Sequence, residues 1–314
     1  MIPREILKKT RLPKPHTGFF AVCGFVWFLC TTTETLFGAV LPPPIPINEG
    51  AGCGGCVVVN LRLDSGETVN MLLDTGAPIT VLDSSFAPKL GKRLHDGKIS
   101  FECWRKQPAG WYAAPKFFLG DVQLTTSDLI PCTEVAHAGW ILKHFCHQKI
   151  HVDGILGMDC LQNYRLQFDF AAGTISFLDP EATNTADWGK MYPLTMFKPV
   201  PGESLCQPLL DHADFFGHRR SLIVDTGCYD DATENCGRFW WLKFALFLGH
   251  ERIHSLVWEG NTYSKMRIMP TNTDALGLKF LARHLVTLDF PNQSMYLKQT
   301  SIAPLKPLKN NCAS

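Results

Sequence analysis

The sequence lacks a block of like charge and lacks the common metal-binding patterns. Its 30 Lys and Arg residues balance 29 Asp and Glu residues, so the net charge is +1. Without a basic block there is no electrostatic reason to expect a nucleic-acid partner. The 12 cysteines form no two paired CxxC units, and no HExxH pattern occurs. The sequence therefore gives little support for a zinc site, and we expect no metal.

Charged residues are few, at 19% of the chain, whereas apolar residues make up 46%. This balance argues against a largely disordered chain and allows a sizeable core. The length of 314 residues fits about two domains or one bilobed domain, and is too long for a small disulfide scaffold. The 21 prolines and 25 glycines favour a fold with many turns and short strands.

The N-terminal region has no apolar run long enough to be an ordinary membrane-spanning helix. Residues 18–30 are apolar but number only 13, and five basic residues precede them within residues 1–17. A basic segment before a short apolar run is typical of a secretory signal, whereas a spanning helix needs about 20 apolar residues. No clean A-x-A cleavage site follows, so an uncleaved anchor and a buried element of the mature fold remain open. We expect residues 1–41 to be a signal peptide or membrane anchor of an exported protein, and residues 42–52 to be a Pro-rich linker.

Two copies of the tripeptide Asp-Thr-Gly stand out, one in each half of the chain. The first lies in Met71–Ala77 and the second in Leu222–Gly227, each behind an apolar run. The apolar run predicts a short buried strand, and the glycine permits a sharp reversal of the backbone. A single copy could be an ordinary turn. Two carboxylates brought together by two similar lobes can share one proton and activate a water.

An internal repeat accompanies these tripeptides. Asp225 follows Asp74 at an offset of 151, and the segment 156–177 matches 276–297 without a gap at an offset of 120. The second copy is therefore shorter than the first between its two motifs. The repeat predicts a duplicated all-β lobe, with one lobe trimmed in the middle. The expected organisation is a first lobe (53–178), an interlobe linker (179–192), a second lobe (193–298) and a C-terminal tail (299–314).

These motifs resemble those of the retropepsin-like aspartic peptidases, in a two-lobed form on a single chain. The residues that carry the resemblance are Leu72–Ala77 with Thr80–Leu82 behind it, Gly154–Asp159 downstream, and the second copy in Leu222–Gly227 with Leu276-Gly277. The resemblance covers roughly residues 53–298. It implies an all-β fold of two retropepsin-like, or acid protease, β-barrel lobes related by internal duplication.

The resemblance also implies a reaction and a set of site residues. Asp74 and Asp225 would meet at the lobe interface, hold one proton between them and activate a water that hydrolyses a peptide bond. Thr75 and Thr226 would hydrogen-bond across the interface and keep the two loops rigid. Their neighbours Gly76, Ala77 and Gly227 would support the loops, with the glycines letting backbone N–H groups reach the carboxylates. No metal or other cofactor is needed, the partner is a polypeptide substrate, and the active unit is expected to be a monomer.

Enzymes of this kind need a flap, a hairpin that closes over the substrate and excludes water. We expect it within residues 99–118, which are rich in aromatic side chains. The candidates for the flap aromatic are Trp104, Trp111 and Tyr112. The alternative is that these three side chains belong to the core.

The second copy departs from the family pattern. Cys228 stands where the first copy has Ala77, and an ungapped comparison sets Asp230 opposite Ile79 and Lys279 opposite Asp159. Two alternatives to a single-chain endopeptidase therefore remain: a non-catalytic peptide-binding module with a degenerate second lobe, or a peptidase assembled as a homodimer through the first lobe. A third alternative is a membrane-anchored redox protein centred on Cys53 and Cys56. That pair precedes a strand, which favours a structural role over a redox role.

Overall fold

The protein is described here by a computed structural model, which covers residues 41–53, 55–101, 105–135, 150–198, 206–215, 218–237, 253–258 and 261–299. These residues are almost entirely β, as the sequence predicts. The signal or anchor segment 18–30 and most of the tail lie outside them. Within the described residues no helix combines the length and the apolar character needed to cross a membrane.

The strands, numbered in chain order, have the following bounds. They are β1 (Ile45–Pro46), β2 (Val58–Leu63), β3 (Thr68–Leu73), β4 (Val81–Asp83), β5 (His95–Phe101), β6 (Arg105–Ala113), β7 (Phe117–Leu119), β8 (Val122–Gln123), β9 (Leu129–Thr133), β10 (Gly154–Leu156), β11 (Arg165–Asp169), β12 (Thr174–Phe177), β13 (Lys190–Phe197), β14 (Gln207–Phe215), β15 (His218–Asp225), β16 (Ala232–Asn235), β17 (Ile253–Trp258), β18 (Asn261–Thr271), β19 (Ala275–Gly277), β20 (His284–Asp289) and β21 (Ser294–Gln299). We call residues 45–177 lobe one and residues 190–299 lobe two.

Four short helices complete the described elements. Two are one-turn α-helices, α1 (Met158–Leu161) and α2 (Leu278–Leu281), and each follows a glycine at the end of a buried strand. The others are 3-10 helices at Ser84–Lys89 and Ala186–Trp188. Such short helices contribute little by themselves and are held by the sheets against which they pack.

The first sheet has the strand order β5-β6-β9-β4-β10-β3-β2-β7-β8. At its centre β10 runs parallel to β3, with Leu156 opposite Leu73, and antiparallel to β4. Both faces of these central strands are covered, which explains why the run Met71-Leu72-Leu73 is apolar without alternation. The end of β3 therefore sits at the middle of the sheet, where its register is fixed.

The second sheet repeats this arrangement. Its order is β1-β12-β11-β20-β21-β13-β14-β15-β19-β16-β18-β17. Strand β19 runs parallel to β15, with Gly277 opposite Asp225, and antiparallel to β16. The two Asp-Thr-Gly motifs thus follow equivalent central strands.

The same sheet joins the two lobes. The terminal hairpin of lobe one, β11–β12, lies beside the terminal hairpin of lobe two, β20–β21, because β11 pairs with β20. Arg165 and Asp289 face each other in that pairing and form an ion pair of 2.8 Å, with side chains only 3% and 2% exposed. A continuous sheet and a buried ion pair therefore connect the lobes.

The structure corrects both predicted linkers. Ile45 and Pro46 are part of the fold as β1, which pairs with β12, and Ile47 N–H donates to the Gly173 carbonyl at 3.0 Å. Strand β13 begins at Lys190 and pairs with β21 in the same way, with Leu194 N–H donating to the Gln293 carbonyl at 2.7 Å. The repeat thus starts at these two strands, so residues 42–52 are not a free linker and residues 179–192 are linker only up to Gly189.

The shortening of lobe two falls in two places. Segment 84–116 connects β4 to β7 in lobe one, whereas the shorter segment 236–252 connects β16 to β17 in lobe two. Segment 134–153 connects β9 to β10 in lobe one, whereas a tight connection, 272–274, joins β18 to β19 in lobe two. The long hairpin of β5 and β6 has no counterpart among the described residues of lobe two.

Candidate active site

The first Asp-Thr-Gly loop begins where β3 ends. Asp74 N–H donates to the Leu156 carbonyl at 3.0 Å, which continues the pairing with β10. The loop then turns so that one carboxylate oxygen of Asp74 accepts the backbone N–H groups of Gly76 at 2.8 Å and Ala77 at 3.1 Å. Two N–H donors on one oxygen fix the carboxylate and favour its charged form.

The second loop has the same geometry. One carboxylate oxygen of Asp225 accepts the N–H groups of Gly227 at 2.8 Å and Cys228 at 3.0 Å. Cys228 therefore fills the backbone role of Ala77 despite its different side chain. The departure at this position leaves the loop intact.

Two threonines lock the loops together across the lobe interface. Thr75 N–H donates to Thr226 Oγ1 and Thr226 N–H donates to Thr75 Oγ1, both at 3.0 Å. The hydroxyls in turn donate to the carbonyls of Val224 at 2.6 Å and Leu73 at 2.8 Å in the opposite lobe. Both side chains are buried, at 0% and 1% exposure. Each hydroxyl thus uses its donor and an acceptor site, as burial requires.

The two carboxylates lie face to face between the glycines. A Cβ built on Gly76 would stand 2.5 Å from the Asp225 carboxyl carbon, and a Cβ on Gly227 would overlap the Asp74 carboxyl carbon. Any side chain at either position would displace the opposite aspartate, which explains the glycine in each motif. The two carboxyl groups also hydrogen-bond to each other.

This arrangement separates the protonation of the two aspartates. Burial raises the pKa of Asp74, although hydrogen bonds from Asp225 and from the loop N–H groups oppose the rise. Burial raises the pKa of Asp225 well above its ordinary value, and repulsion by the Asp74 charge raises it further. Two like charges this close cannot both form cheaply, so the pair holds one proton over a wide pH range. Repulsion by the Asp74 charge adds to the rise in the pKa of Asp225, which favours Asp225 as the protonated member of the pair.

In lobe one, a buried carboxylate supports the chain that follows the loop. Asp159 accepts the backbone N–H of Thr80 at 2.8 Å and its hydroxyl at 2.6 Å, while Thr80 Oγ1 accepts Gly157 N–H at 3.1 Å. Burial raises the pKa of Asp159, and these hydrogen bonds act in the opposite direction. The network joins Thr80, the residue before β4, to Gly157 and to Asp159 of α1.

Lobe two contains one extra residue at this place. Leu278 N–H donates to the Cys228 carbonyl as Met158 N–H donates to that of Ala77, but Lys279 N–H donates to Asp230, whereas Asp159 N–H donates to Pro78. The extra residue is Tyr229. The ungapped comparison is therefore wrong after Cys228, since Asp230 matches Pro78 and Asp231 matches Ile79.

Ion pairs support the second loop instead. Asp230 pairs with Arg267 at 3.0 Å, and Asp231 pairs with Arg283. Both carboxylates are almost fully buried, at 2% and 1%, whereas the arginine side chains are 42% and 39% exposed. Asp231 also accepts Arg267 N–H at 2.8 Å, which ties this support to β18.

The predicted flap residues have different locations. Trp104 lies outside the described residues. Trp111 is partly exposed on the β5–β6 hairpin and stacks on His95 with ring centroids 5.2 Å apart. Tyr112 is 7% exposed and packs in the main core beside Ile130, which corrects its assignment to the flap. Neighbouring strand residues point to opposite faces, so Trp111 and Tyr112 cannot share one role.

Sequence analysis missed two residues that touch these loops. Gln207 Nε2 donates to the Gly76 carbonyl, and Cys56 Sγ donates to the Gly227 carbonyl at 3.7 Å. Each crosses from one lobe to the loop of the other. Their signal in the sequence is positional, because each precedes the aspartate of its own lobe by the same interval along the chain. Different residue types at the two positions hid the correspondence.

The structure shows the state of the cysteines and of the possible metal ligands among the described residues. The seven cysteines among them, including Cys53 and Cys56, are thiols. In that same part of the chain, no group of three or more His, Cys, Asp or Glu side chains is placed to hold a metal ion.

Comparison with known families adds one finding. Residues 59–160 match the model of an aspartyl protease family, and no curated protein matches the chain. The matched segment runs from β2 to α1 and includes Asp74, Thr80 and Asp159. It indicates a hydrolase with aspartic peptidase activity. Residues 59–160 are thus similar to aspartyl proteases, and the all-β fold with its two sheets is consistent with a retropepsin-like fold.

Proposed function

We propose that the protein is an aspartic endopeptidase whose catalytic pair is Asp74 and Asp225 on a single chain. The observation that carries the proposal is the reciprocal threonine hydrogen bonding, which presses the two loops together. Each carboxylate there is oriented by two N–H groups and faces the other. Burying two carboxylates against each other costs free energy, and a purely structural pair of turns has no reason to include such an arrangement. Groups perturbed in this way cluster at functional sites.

The two aspartates have separate roles in the proposed reaction. Asp74, the anion, takes a proton from a water held between the carboxylates, and the water oxygen attacks the carbonyl carbon of the substrate. Asp225 donates its proton to the carbonyl oxygen, so that a neutral tetrahedral intermediate forms. Asp74 then gives its proton to the leaving nitrogen as the C–N bond breaks, while Asp225 takes back a proton from the hydroxyl that becomes the new carbonyl. Both carboxyl groups are restored with one proton between them.

The loop residues act by holding this geometry. Thr75 and Thr226 fix the separation of the two carboxylates, and Gly76 and Gly227 leave room for them. Such preorganisation avoids the cost of moving charges during the reaction. No step in this mechanism calls for a metal or another cofactor.

If the protein were a non-catalytic peptide-binding module, nothing would require lobe two to keep the hydrogen-bonded loop around Asp225. The retained hydrogen bonds from Gly227 and Cys228 to Asp225 favour catalysis over that alternative. The lobe-one homodimer is disfavoured because lobe two already supplies the second carboxylate. We therefore propose a monomeric active unit that acts on polypeptides, and the constant specific activity of a diluted sample would test it.

The experiment that tests the function uses the purified full chain, a mixed peptide library and a pH range of about 3 to 7, which spans the carboxyl titrations. Asp74→Asn and Asp225→Asn should each lower cleavage by about 10²–10⁴-fold or more, because an amide can neither accept the water proton nor supply the acid proton. Asp64→Asn, at an exposed turn between β2 and β3, is the matched control and should cleave like wild type. Wild-type rates in both site variants would refute the function, whereas loss in Asp74→Asn alone would support the homodimer.

The location of the protein is a separate proposal. We propose that residues 18–30 direct export or anchor the chain at a membrane, on the strength of the basic segment before them. Fractionation of cells that express the full chain would test it, and a full-length product in the cytoplasmic fraction would contradict it.

A further inference from the structure

Cys56 and Gln207 occupy equivalent positions in the two lobes. Val58 pairs with Leu72 in lobe one, and Leu209 pairs with Ile223 in lobe two. Cys56 precedes Val58 by two positions, as Gln207 precedes Leu209. The pseudo-symmetry therefore relates the two side chains, although one is a thiol and the other an amide.

Each of these side chains donates a hydrogen bond to the backbone carbonyl of the Asp-Thr-Gly glycine in the other lobe. The Gly76 carbonyl belongs to the same planar peptide unit as Ala77 N–H, and the Gly227 carbonyl to the same unit as Cys228 N–H. Those N–H groups are the ones that donate to Asp74 at 3.1 Å and to Asp225 at 3.0 Å. Fixing the carbonyl of a planar unit fixes the direction of its N–H group.

We propose that Gln207 and Cys56 are positioning residues of the peptidase, each holding from the opposite lobe the peptide unit that orients a catalytic carboxylate. The inference rests on the proposed function and extends it to two residues outside the Asp-Thr-Gly motifs. Neither residue contacts the reacting atoms in this scheme. Each acts through the backbone of the loop that it grips.

The hydrogen bonds made by Gln207 and Cys56 differ in strength, and this difference makes the two carboxylates unequal. An amide N–H is a good donor, whereas a thiol is a weak one. The peptide unit beside Asp74 is therefore held more firmly than the one beside Asp225. A firmly directed N–H group stabilises the anion, so the asymmetry favours Asp74 as the base and leaves the proton on Asp225.

The test of the strong grip is Gln207→Leu in the full chain, which removes the donor at similar size. We expect kcat to fall about tenfold, the effect of roughly one lost hydrogen bond, with KM within about twofold because the change acts on the carboxylate and not on the substrate. Gln167→Leu is the matched control, because Gln167 also bonds across the lobes, to Thr287 at 3.0 Å, but far from the loops in sequence. It should keep the wild-type kcat.

A second variant separates positioning from packing. In Gln207→Glu, a protonated carboxyl can donate to the Gly76 carbonyl, whereas an ionised one can only repel it. Activity relative to wild type should be near normal at acid pH and should fall as the pH rises through the titration of the new carboxyl group. A merely structural role of the side chain would give the same ratio to wild type at every pH.

The weak grip is tested by Cys56→Ala and Cys56→Ser. The alanine variant should lower kcat about threefold, and the serine variant should recover or exceed the wild-type value because a hydroxyl is the better donor. Cys132→Ala is the control, since Cys132 is also buried in lobe one but lies in β9, opposite Leu82 of β4 and Gly110 of β6. Equal losses in Cys56→Ala and Cys56→Ser would overturn the assignment of Cys56.

A measurement independent of cleavage keeps this inference apart from the proposed function. Carbon-13 NMR of the aspartate carboxyl groups follows their titration directly. The titration of Asp74 should move to higher pH in Gln207→Leu and stay in place in Gln167→Leu. An unshifted Asp74 would overturn the inference even in an active enzyme, whereas a shift in a chain that cleaves no peptide would sustain it and refute the function.

Discussion

The two lobes reach the same loop geometry with different side chains behind the loops. In lobe one, Asp159 hydrogen-bonds to Thr80 within a tight network of hydroxyl, N–H and carboxylate groups. In lobe two, with its extra Tyr229, the ion pairs Asp230–Arg267 and Asp231–Arg283 occupy that place. The backbone bonds into α1 and α2 are nearly equal in length, at 2.8 and 2.7 Å. The backbone geometry of the loop therefore does not fix the side chains that support it.

The largest effect is expected at the junction of the lobes, where the residues of the two lobes differ most from the pseudo-symmetry. Arg165 and Asp289 form the buried ion pair, whereas the residues opposite each other at the other end of that pairing are Asp169 and Leu285. Arg165→Leu should cost about 3–5 kcal/mol of unfolding free energy, because Asp289 would remain buried without its cation. Urea unfolding measures this loss. The double variant with Asp289→Leu should recover much of it, and a double variant as unstable as the single one would contradict this expectation.

The second way is to remove one ion pair behind the loop of lobe two. Arg283→Leu leaves the side chain of the buried Asp231, among the described residues, with its bond from Arg267 N–H alone, and should cost about 3 kcal/mol. Thr80→Val, at the corresponding support of lobe one, should cost about 1–2 kcal/mol. Lys89→Met is the control, because its ion pair with Glu67 is exposed and worth about 1 kcal/mol at most. Thermal unfolding of the three variants gives the order, and a smaller loss for Arg283→Leu than for Thr80→Val would reverse the comparison.

The third way uses the feature that is most symmetric. Thr75→Val and Thr226→Val each remove a buried hydroxyl that donates across the interface, so each should cost about 1–3 kcal/mol. Since the geometry is the same on both sides, the two losses should agree and kcat should fall with both. Equilibrium unfolding and kinetics at one pH provide the measurement. Unequal losses would mean that the different side chains behind the two loops alter the threonine hydrogen bonds themselves.

The last comparison concerns the pH dependence of stability that each aspartate contributes. The folded pKa of Asp225 lies well above its ordinary value, so the folded state binds its proton more tightly than the unfolded state does. The stability from this group is fully present below about pH 4 and is lost as the pH rises through the raised folded pKa.

Asp225→Asn should therefore flatten the fall in unfolding free energy between acid and neutral pH, at about 1.4 kcal/mol for each unit of pKa difference. Asp74→Asn should also reduce this fall, in part indirectly, because it removes the charge that raises the pKa of Asp225. Urea midpoints at pH 4 and pH 7 measure both slopes. A wild-type slope in Asp225→Asn would place the shared proton on Asp74.

The sequence predicts structure well at positions where a single physical requirement decides the residue type. An apolar run followed by Asp-Thr-Gly predicts a central strand and a sharp loop, and the structure contains both loops. The position of Tyr229 could not be predicted, because an extra residue in a loop leaves no periodic signal. The sequence predicts a linker at Ile45 and Pro46 because a two-residue strand is too short to show alternation.

Long-range partners were the other limit. Gln207 and Cys56 are far from the loops that they contact, at sequence separations of 131 and 171 from the glycines that they bind. The aromatic ring of Tyr112 makes it a flap candidate in the sequence, yet the pairing of β6 with β9 decides which face of β6 it occupies. Both facts depend on tertiary register, which a single sequence does not state.

The hydrogen bonds that cross between the two loops have a consequence for synthesis of the chain on the ribosome. Thr75 completes its hydrogen bonds only with Val224 and Thr226, so the first motif waits for partners that are synthesised much later, at sequence separations of 149 and 151. A growing chain with lobe one alone carries one of the two motif aspartates, and its Thr75 lacks these partners. In the proposed single-chain peptidase, both catalytic aspartates would therefore be in place only after lobe two has emerged and docked. The unfinished polypeptide would then be unable to cleave itself.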